Sequence, residues 1–298
     1  MLFGLLLAAA AEPLARSLRP HIATPMLTGI ALTAALCTGL VLSVAAVLTC
    51  AQLGPFPRLG HWSAATLRAK SDLPLPVGLI ALLIVVACLT RSGVGVVRSL
   101  RTLILVRRAS ARMAPVADKL VILDEREPIA YSLAGSGGRI VVSTGMFAAL
   151  SAPERHVLLA HEAAHLRHRH HLYLHLVRLA TAANPLLRPV VDAVASATER
   201  WADEDAASEV GDRHLVARTL ARAALASTPS RAPRGALGVA DHGVVDRVRL
   251  LLAPPPADRR GALALAATAA LLSWVTAAVF TFWANDIVQF AESVYLSR

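Results

Sequence analysis

The sequence predicts a membrane protein: an α-helical transmembrane bundle of about four spans, with an α+β domain inserted into it on the cytoplasmic side. Three observations carry this. Charged residues make up only 17% of the 298 positions and apolar ones 55%, whereas an ordinary soluble domain carries about 25% charge; the mean hydropathy is +0.55. The missing charge is concentrated in a few long apolar runs, each near the roughly 20 residues a helix needs to cross the hydrocarbon core. Between the last two runs lie about 160 residues of mixed composition, enough for one domain with its own core.

The N-terminal run MLFGLLLAAAA is apolar up to Glu12 and Pro13. It is expected to form a short first span over 1–18, because no basic segment precedes it as in a cleaved signal. Between Arg19 and Arg58 the only basic or acidic side chain is His21, so a span covers about 26–50. The uncharged stretch 73–90, LPLPVGLIALLIVVACLT, extends to about 95 if Arg91 snorkels. The last span, 261–284, carries Trp274 and Trp283 as interface anchors. Arg91, Arg98, Arg101, Arg107, Arg108 and Arg112 follow the third run without an acid among them, and Arg259 and Arg260 precede the last. The positive-inside rule therefore puts 98–258 in the cytoplasm and the loop 54–72 outside. The expected organisation is a membrane region over 1–97, a cytoplasmic domain over 98–258, and a final span with a short external tail over 259–298.

The formal net charge is +10, from 30 Lys+Arg against 20 Asp+Glu. Because the basic residues cluster beside apolar runs, they mark orientation in the lipid bilayer, and no direct nucleic-acid binding is expected. Cys37, Cys50 and Cys88 sit within or at the ends of apolar runs, with no spacing that suggests a disulfide framework or a cysteine metal site.

Within 98–258, KLVILD (119–124), PIAYSLAG (128–135) and GRIVVST (138–144) have the β-branched content of strands, with a turn at Gly135-Ser136-Gly137-Gly138. They suggest a small antiparallel sheet. Ser151 and Glu154 form a capping box and Pro153 suits a first turn, so a helix starts at SAPE and runs to about His170. Further helices are expected over 190–209, 212–227 and 244–252. A Pro/Gly/Arg-rich connector (228–243) precedes the last of these, and Pro254–Pro256 follow it.

The chemistry lies in HEAAH. His161 and His165 are four apart and share one helix face. Two neutral imidazoles so placed can bind one zinc ion. Glu162 is rotated by about 100°, within reach of a zinc-activated water as general base without being a ligand. A third ligand is available in TERWADEDAA (198–207), where Glu199 and Asp203 share a helix face. Glu199 completes a His-His-Glu set, and Asp203 can hydrogen-bond the far nitrogen of a ligand histidine. The competing reading is an acidic solvated face, since Glu204, Asp205 and Glu209 crowd nearby.

AYSLAG, RIVVSTGM, LSAPERHVLLAHEAAHLRHRHH, NPLL, ERWADEDAA and VVDRVRLLLAPP together resemble the membrane-embedded gluzincin metallopeptidases of the BlaR/MecR antirepressor type. HtpX-like and CAAX-processing enzymes are the neighbouring branches. The resemblance implies a zincin-like cytoplasmic domain, one Zn2+ held by His161, His165 and Glu199, Glu162 as catalytic base, and Asp203 behind a ligand. It also implies a protein substrate such as a winged-helix transcriptional repressor. Two departures stand out. His170 occupies a position where such proteins often carry an acid. And only a short tail follows the last span, so the extracellular penicillin-binding sensor of the β-lactam-responsive members is not expected.

Tyr131, His242 and Arg247 are candidate oxyanion stabilisers. The other histidines after the motif, His168, His170, His171 and His175, read as a basic flank rather than a second metal site, since no carboxylate accompanies the His171–His175 pair. The strand AYSLAG is either an ordinary edge or a place where an extended substrate pairs. A membrane zinc endopeptidase in signalling is therefore expected, with HtpX-like quality control of membrane proteins as the alternative. A non-catalytic zinc scaffold is disfavoured, because a structural site needs no Glu162.

Overall fold

The computed structural model describes residues 2–297 apart from 54–55, 60, 72, 114, 117–118, 136, 228–236, 239–242 and 255–259. The chain begins with helix α1, Leu2–Ser17, and α2, Pro20–Cys50. Two short helices, α3 (Phe56–Leu59) and α4 (Ala64–Lys70), lead to the 38-residue α5, Leu75–Arg112. Among the described residues, three helical stretches are long and apolar enough to cross a membrane: Pro20–Cys50, Leu75–Arg112 and Ala267–Leu296. The third belongs to the final helix, α12, Arg260–Leu296. Leu79, Leu83, Val86 and Leu89 on α5 and Leu271, Val275, Val279 and Phe282 on α12 are exposed, a surface that suits lipid rather than water. The expected fourth span, 1–18, is a helix of 16 residues, short of a full crossing. Its Leu7, Ala11 and Ala15 are buried in a cluster shared with α2 and with two helices described below, His170–Ala183 and Arg188–Val210.

Strands β1 (Leu120–Leu123), β2 (Ala130–Leu133) and β3 (Arg139–Ser143) follow, with a two-residue β4 (Leu237–Gly238). The sheet order is β1-β3-β2-β4. The expectation of an antiparallel sheet is corrected here: β2 pairs antiparallel with β3 and with β4, but β1 pairs parallel with β3. Ile140, Val141 and Val142 of β3 are all buried, which suits an inner strand covered on both faces. A turn with Gly137 at φ 89° and Gly138 at φ 62° folds β2 back onto one side of β3. The other edge is then left for β1.

One face of the sheet (Ala130, Ile140, Val142) packs on Val157, Leu158 and Ala160, while Tyr131, Leu133 and Val141 pack with Val121 and with Val106 of α5. Helix α6, Thr144–Ala149, is capped by the Ser143 hydroxyl, which accepts from the Met146 N–H at 3.0 Å. A Cβ on Gly145 would overlap the backbone carbonyl of Arg126, which cannot swing away as a side chain would. Gly145→Ala is expected to cost about 1–3 kcal/mol, as overpacking does, and a thermal melt checks this.

Helix α7, Ala152–Arg167, starts at the capping box read in the sequence: the Glu154 carboxylate accepts from the Ser151 N–H at 2.8 Å and the Ser151 hydroxyl at 2.7 Å. Arg222 adds an ion pair at 3.1 Å. The Ser151 backbone N–H, with help from that hydroxyl and Arg222, holds the Glu154 carboxyl below its ordinary range despite burial. A lowered carboxyl stabilises the fold above its unfolded pKa and loses that contribution as pH falls through the folded one. Glu154→Gln is therefore expected to cost about 1 kcal/mol at neutral pH. The gap between the two melting curves should close as pH drops below about 4.

The sequence predicts that α7 runs on to about His170. In the structure it stops at Arg167, because Arg169 adopts φ 53°, in the left-handed region, and redirects the chain into α8, His170–Ala183. No helix was expected over 171–183. After a 3-10 turn at Pro185–Leu187, α9 covers Arg188–Val210 and ends at Gly211 with φ 75°. Helices α8 and α9 form a hairpin whose Leu174, Val177, Val190 and Val194 pack against Leu27, Ile30 and Ala34 of α2. Arg200 of α9 donates to the Ala15 carbonyl of α1 at 2.5 Å. Helices α10 (Arg213–Ala226) and α11 (Val244–Leu252) close the domain before α12.

Candidate metal centre

Helix α7 presents His161 and His165 to α9, which presents Glu199. The two Nε2 atoms lie 3.2 Å apart. Glu199 Oε2 is 3.6 Å from His161 Nε2, and Glu199 Oε1 is 3.6 Å from His165 Nε2. One ligand atom from each residue falls within 4.8 Å of the others, and all three residues are buried. The far side of each imidazole is occupied: His161 Nδ1 is 3.1 Å from Asp203 Oδ1, and His165 Nδ1 is 2.8 Å from His170 Nδ1.

This donor set fits a divalent cation such as zinc. Two imidazole nitrogens and a carboxylate converge in a buried space, which is the donor set of a four-coordinate zinc site with one position left for water. Glu162 adds to the same conclusion. It is 0% exposed, and neither of its oxygens has a hydrogen-bond partner among the described residues. A buried carboxylate left unpaired in this way marks a functional position. Burial pushes its carboxyl up to about 7, against the opposing charge of His161 and the nearby hydroxyl of Ser132 on β2.

Arg247 of α11 holds the acids in place. Its Nε donates to Asp203 Oδ2 at 2.8 Å and its Nη2 to Asp203 Oδ1 at 2.7 Å. Its Nη1 lies 3.0 Å from Glu199 Oε2, in ion-pair range but not aligned as a hydrogen bond. Burial opposes ionisation of Glu199 and Asp203, yet Arg247 and the histidines outweigh it and keep both well below the ordinary carboxylate range. Burial lowers His161 as well, but its bonds to Asp203 and Glu199 prevail and raise it to about 9. His165, with no acid behind it among the described residues, is lowered by burial to about 4.

The three oxyanion candidates fare differently. Tyr131 is corrected: side chains alternate along a strand, so Ser132 faces α7 while Tyr131 packs with Val106, Val121 and Val141 on the opposite side of the sheet. The guanidinium of Arg247 is buried and engaged with Asp203 and Glu199. His242 lies outside the described residues.

The histidine flank is corrected in part. His168 Nε2 bonds Asp205 Oδ2 at 2.6 Å and stacks on Trp201 with ring centroids 4.4 Å apart. Arg167 pairs with Asp205 and Glu209. The basic end of α7 and the acidic face of α9 thus neutralise each other. His170 is fully buried behind His165; its one signal in the sequence is the missing acid at that position. Nothing in the sequence pointed to Ser132.

A family model described as peptidase family M48 matches residues 98–260, more than half of the 298. No curated protein and no solved structure shows significant similarity to the chain. The matched segment contains both helices that carry the His-His-Glu cluster, and the chain belongs to peptidase family M48, a family of metallopeptidases.

Proposed function

We propose that the chain is an integral-membrane zinc endopeptidase, with its peptidase domain (98–258) on the cytoplasmic side between the membrane regions 1–97 and 259–298. The observation that carries this is the convergence of His161 Nε2, His165 Nε2 and a Glu199 oxygen beside the unpartnered carboxylate of Glu162. Zinc held by these three side chains would lower the pKa of water and polarise the scissile carbonyl. Glu162, on the next position of the same helix, takes the proton of the attacking water and returns it to the leaving amine. Asp203 fixes the ring of His161, and Arg247 fixes Asp203.

The substrate is a cytoplasmic or juxtamembrane protein. The resemblance to BlaR/MecR-type peptidases favours a winged-helix transcriptional repressor, cut in response to a signal received by the membrane region. The packing of the α8–α9 hairpin against α2 keeps the centre near the bilayer. That supports a second reading, HtpX-like quality control, in which loops of membrane proteins are cut.

Co-expression of wild type and Glu162→Ala with a candidate winged-helix repressor, and separately with a destabilised membrane protein, tests both. The proposal expects one of these substrates to shorten with wild type alone. Equal fragments with both enzymes would remove Glu162 from the mechanism.

A further inference from the structure

The two histidines of the centre are backed by different groups. Behind His161 stands a carboxylate, Asp203, clamped by two hydrogen bonds from Arg247. Behind His165 stands another imidazole, with His165 Nδ1 and His170 Nδ1 2.8 Å apart and the rings at 86°. No acidic side chain contacts His165 on that side among the described residues.

A metal held at this centre would decide which nitrogen donates. His165 Nε2 faces His161 Nε2 and Glu199, and a nitrogen that binds a metal must be bare. The His165 proton is then on Nδ1, and it is donated to His170 Nδ1. That nitrogen must be bare in turn, so the His170 proton sits on Nε2. His170 is therefore a neutral acceptor in this arrangement. Its own position is fixed by the chain: Arg169, at φ 53°, turns α7 into α8 so that His170 comes back behind the ligand. A non-glycine residue in that region is strained, and the surrounding structure must hold it there. Trp201 supports the His170 ring at a centroid distance of 5.0 Å, and His168 stacks against it at 5.7 Å.

A carboxylate behind a ligand imidazole fixes its tautomer and also makes it a stronger donor to the metal. A neutral imidazole fixes the tautomer with a weaker electrostatic pull, because a charge-assisted hydrogen bond is roughly twice as strong as a neutral one. We propose that His170 is the positioning residue for His165: its Nδ1 locks the ligand ring and tautomer while leaving His165 the weaker of the two histidine donors, so that the side chain at position 170 sets how tightly the centre holds its metal. This rests on the zinc reading of the centre.

The test is a zinc competition titration against a chromophoric chelator, on the full chain purified in detergent, with the metal-free melting curve recorded in parallel. Wild type is expected to bind one zinc. His170→Ala, which removes the acceptor, is expected to weaken zinc binding about 10–100-fold. His170→Asn keeps an acceptor oxygen and should recover most of that loss. His170→Asp should bind zinc more tightly than wild type. A role confined to filling space predicts instead that Asn and Asp, both smaller than His, leave affinity as low as Ala does. Equal affinity in all four proteins, or an Asp variant no tighter than Ala, overturns the inference while wild-type zinc binding keeps the centre itself. Absence of zinc from wild type would instead overturn the reading of the centre.

Discussion

Glu162→Gln is expected to lower peptide hydrolysis on the order of a thousandfold, the middle of the range for losing a positioned general base, with zinc content and fold retained. The expectation comes from what the side chain does not do. Neither Glu162 oxygen makes a hydrogen bond to the described residues, so the group is not a strut whose removal collapses the site. It is a buried acid whose carboxyl burial pushes up to about 7, which is a cost to the fold. The amide has nearly the same shape and no charge to desolvate, so the melting temperature should hold or rise slightly. Activity and stability thus part company at this position. The check is a fluorogenic peptide assay and a melting curve on the same preparation. Full hydrolysis by the Gln variant would mean another group accepts the proton.

Arg247→Met should have the opposite profile, a large loss of stability. The guanidinium is 2% exposed and lies against two buried carboxylates, those of Asp203 and Glu199. Methionine replaces the aliphatic stem but leaves both acids without their buried counter-charge. Breaking a buried pair from one side costs about 3–5 kcal/mol, since an uncompensated charge remains. The loss should be smaller in the zinc-loaded protein, because the cation supplies positive charge to the same carboxylates. A cycle with Asp203→Asn tests the origin of the effect: if the charges are coupled, the double variant is more stable than the sum of the two single losses implies. Simple additivity would refute the coupling.

The sequence made the local parts of this protein readable. Ser151 and Glu154 announced α7, and the four-residue spacing of His161 and His165 put both on one face. Those signals act over one or two helical turns, where residue type and spacing decide conformation directly. Non-local choices were not readable. β1 pairs with β3 rather than β2 because the turn at Gly137 and Gly138 lays β2 along one edge of β3 and leaves the other open, a choice no single segment reveals. Ser132 rather than Tyr131 faces Glu162 because of strand register, where a shift of one residue exchanges the faces. The break between α7 and α8 turns on Arg169, whose residue type gives no hint of a left-handed conformation. The sequence therefore puts His170 on a basic flank, whereas the break brings it inside. Arg247 reaches Asp203 across 44 positions of chain, and no spacing rule connects them. The count of crossing helices is a question of length: α1 is apolar enough to suggest a span, but its 16 residues fall short of one.

The most direct test is the metal content of the purified chain, measured by elemental analysis for wild type and for the double variant His161→Ala with Glu199→Ala. One zinc per chain is expected in wild type, and none in the variant, since two of the three converging donors are gone. A variant that keeps its full complement of zinc would show that the metal sits elsewhere and would contradict the account.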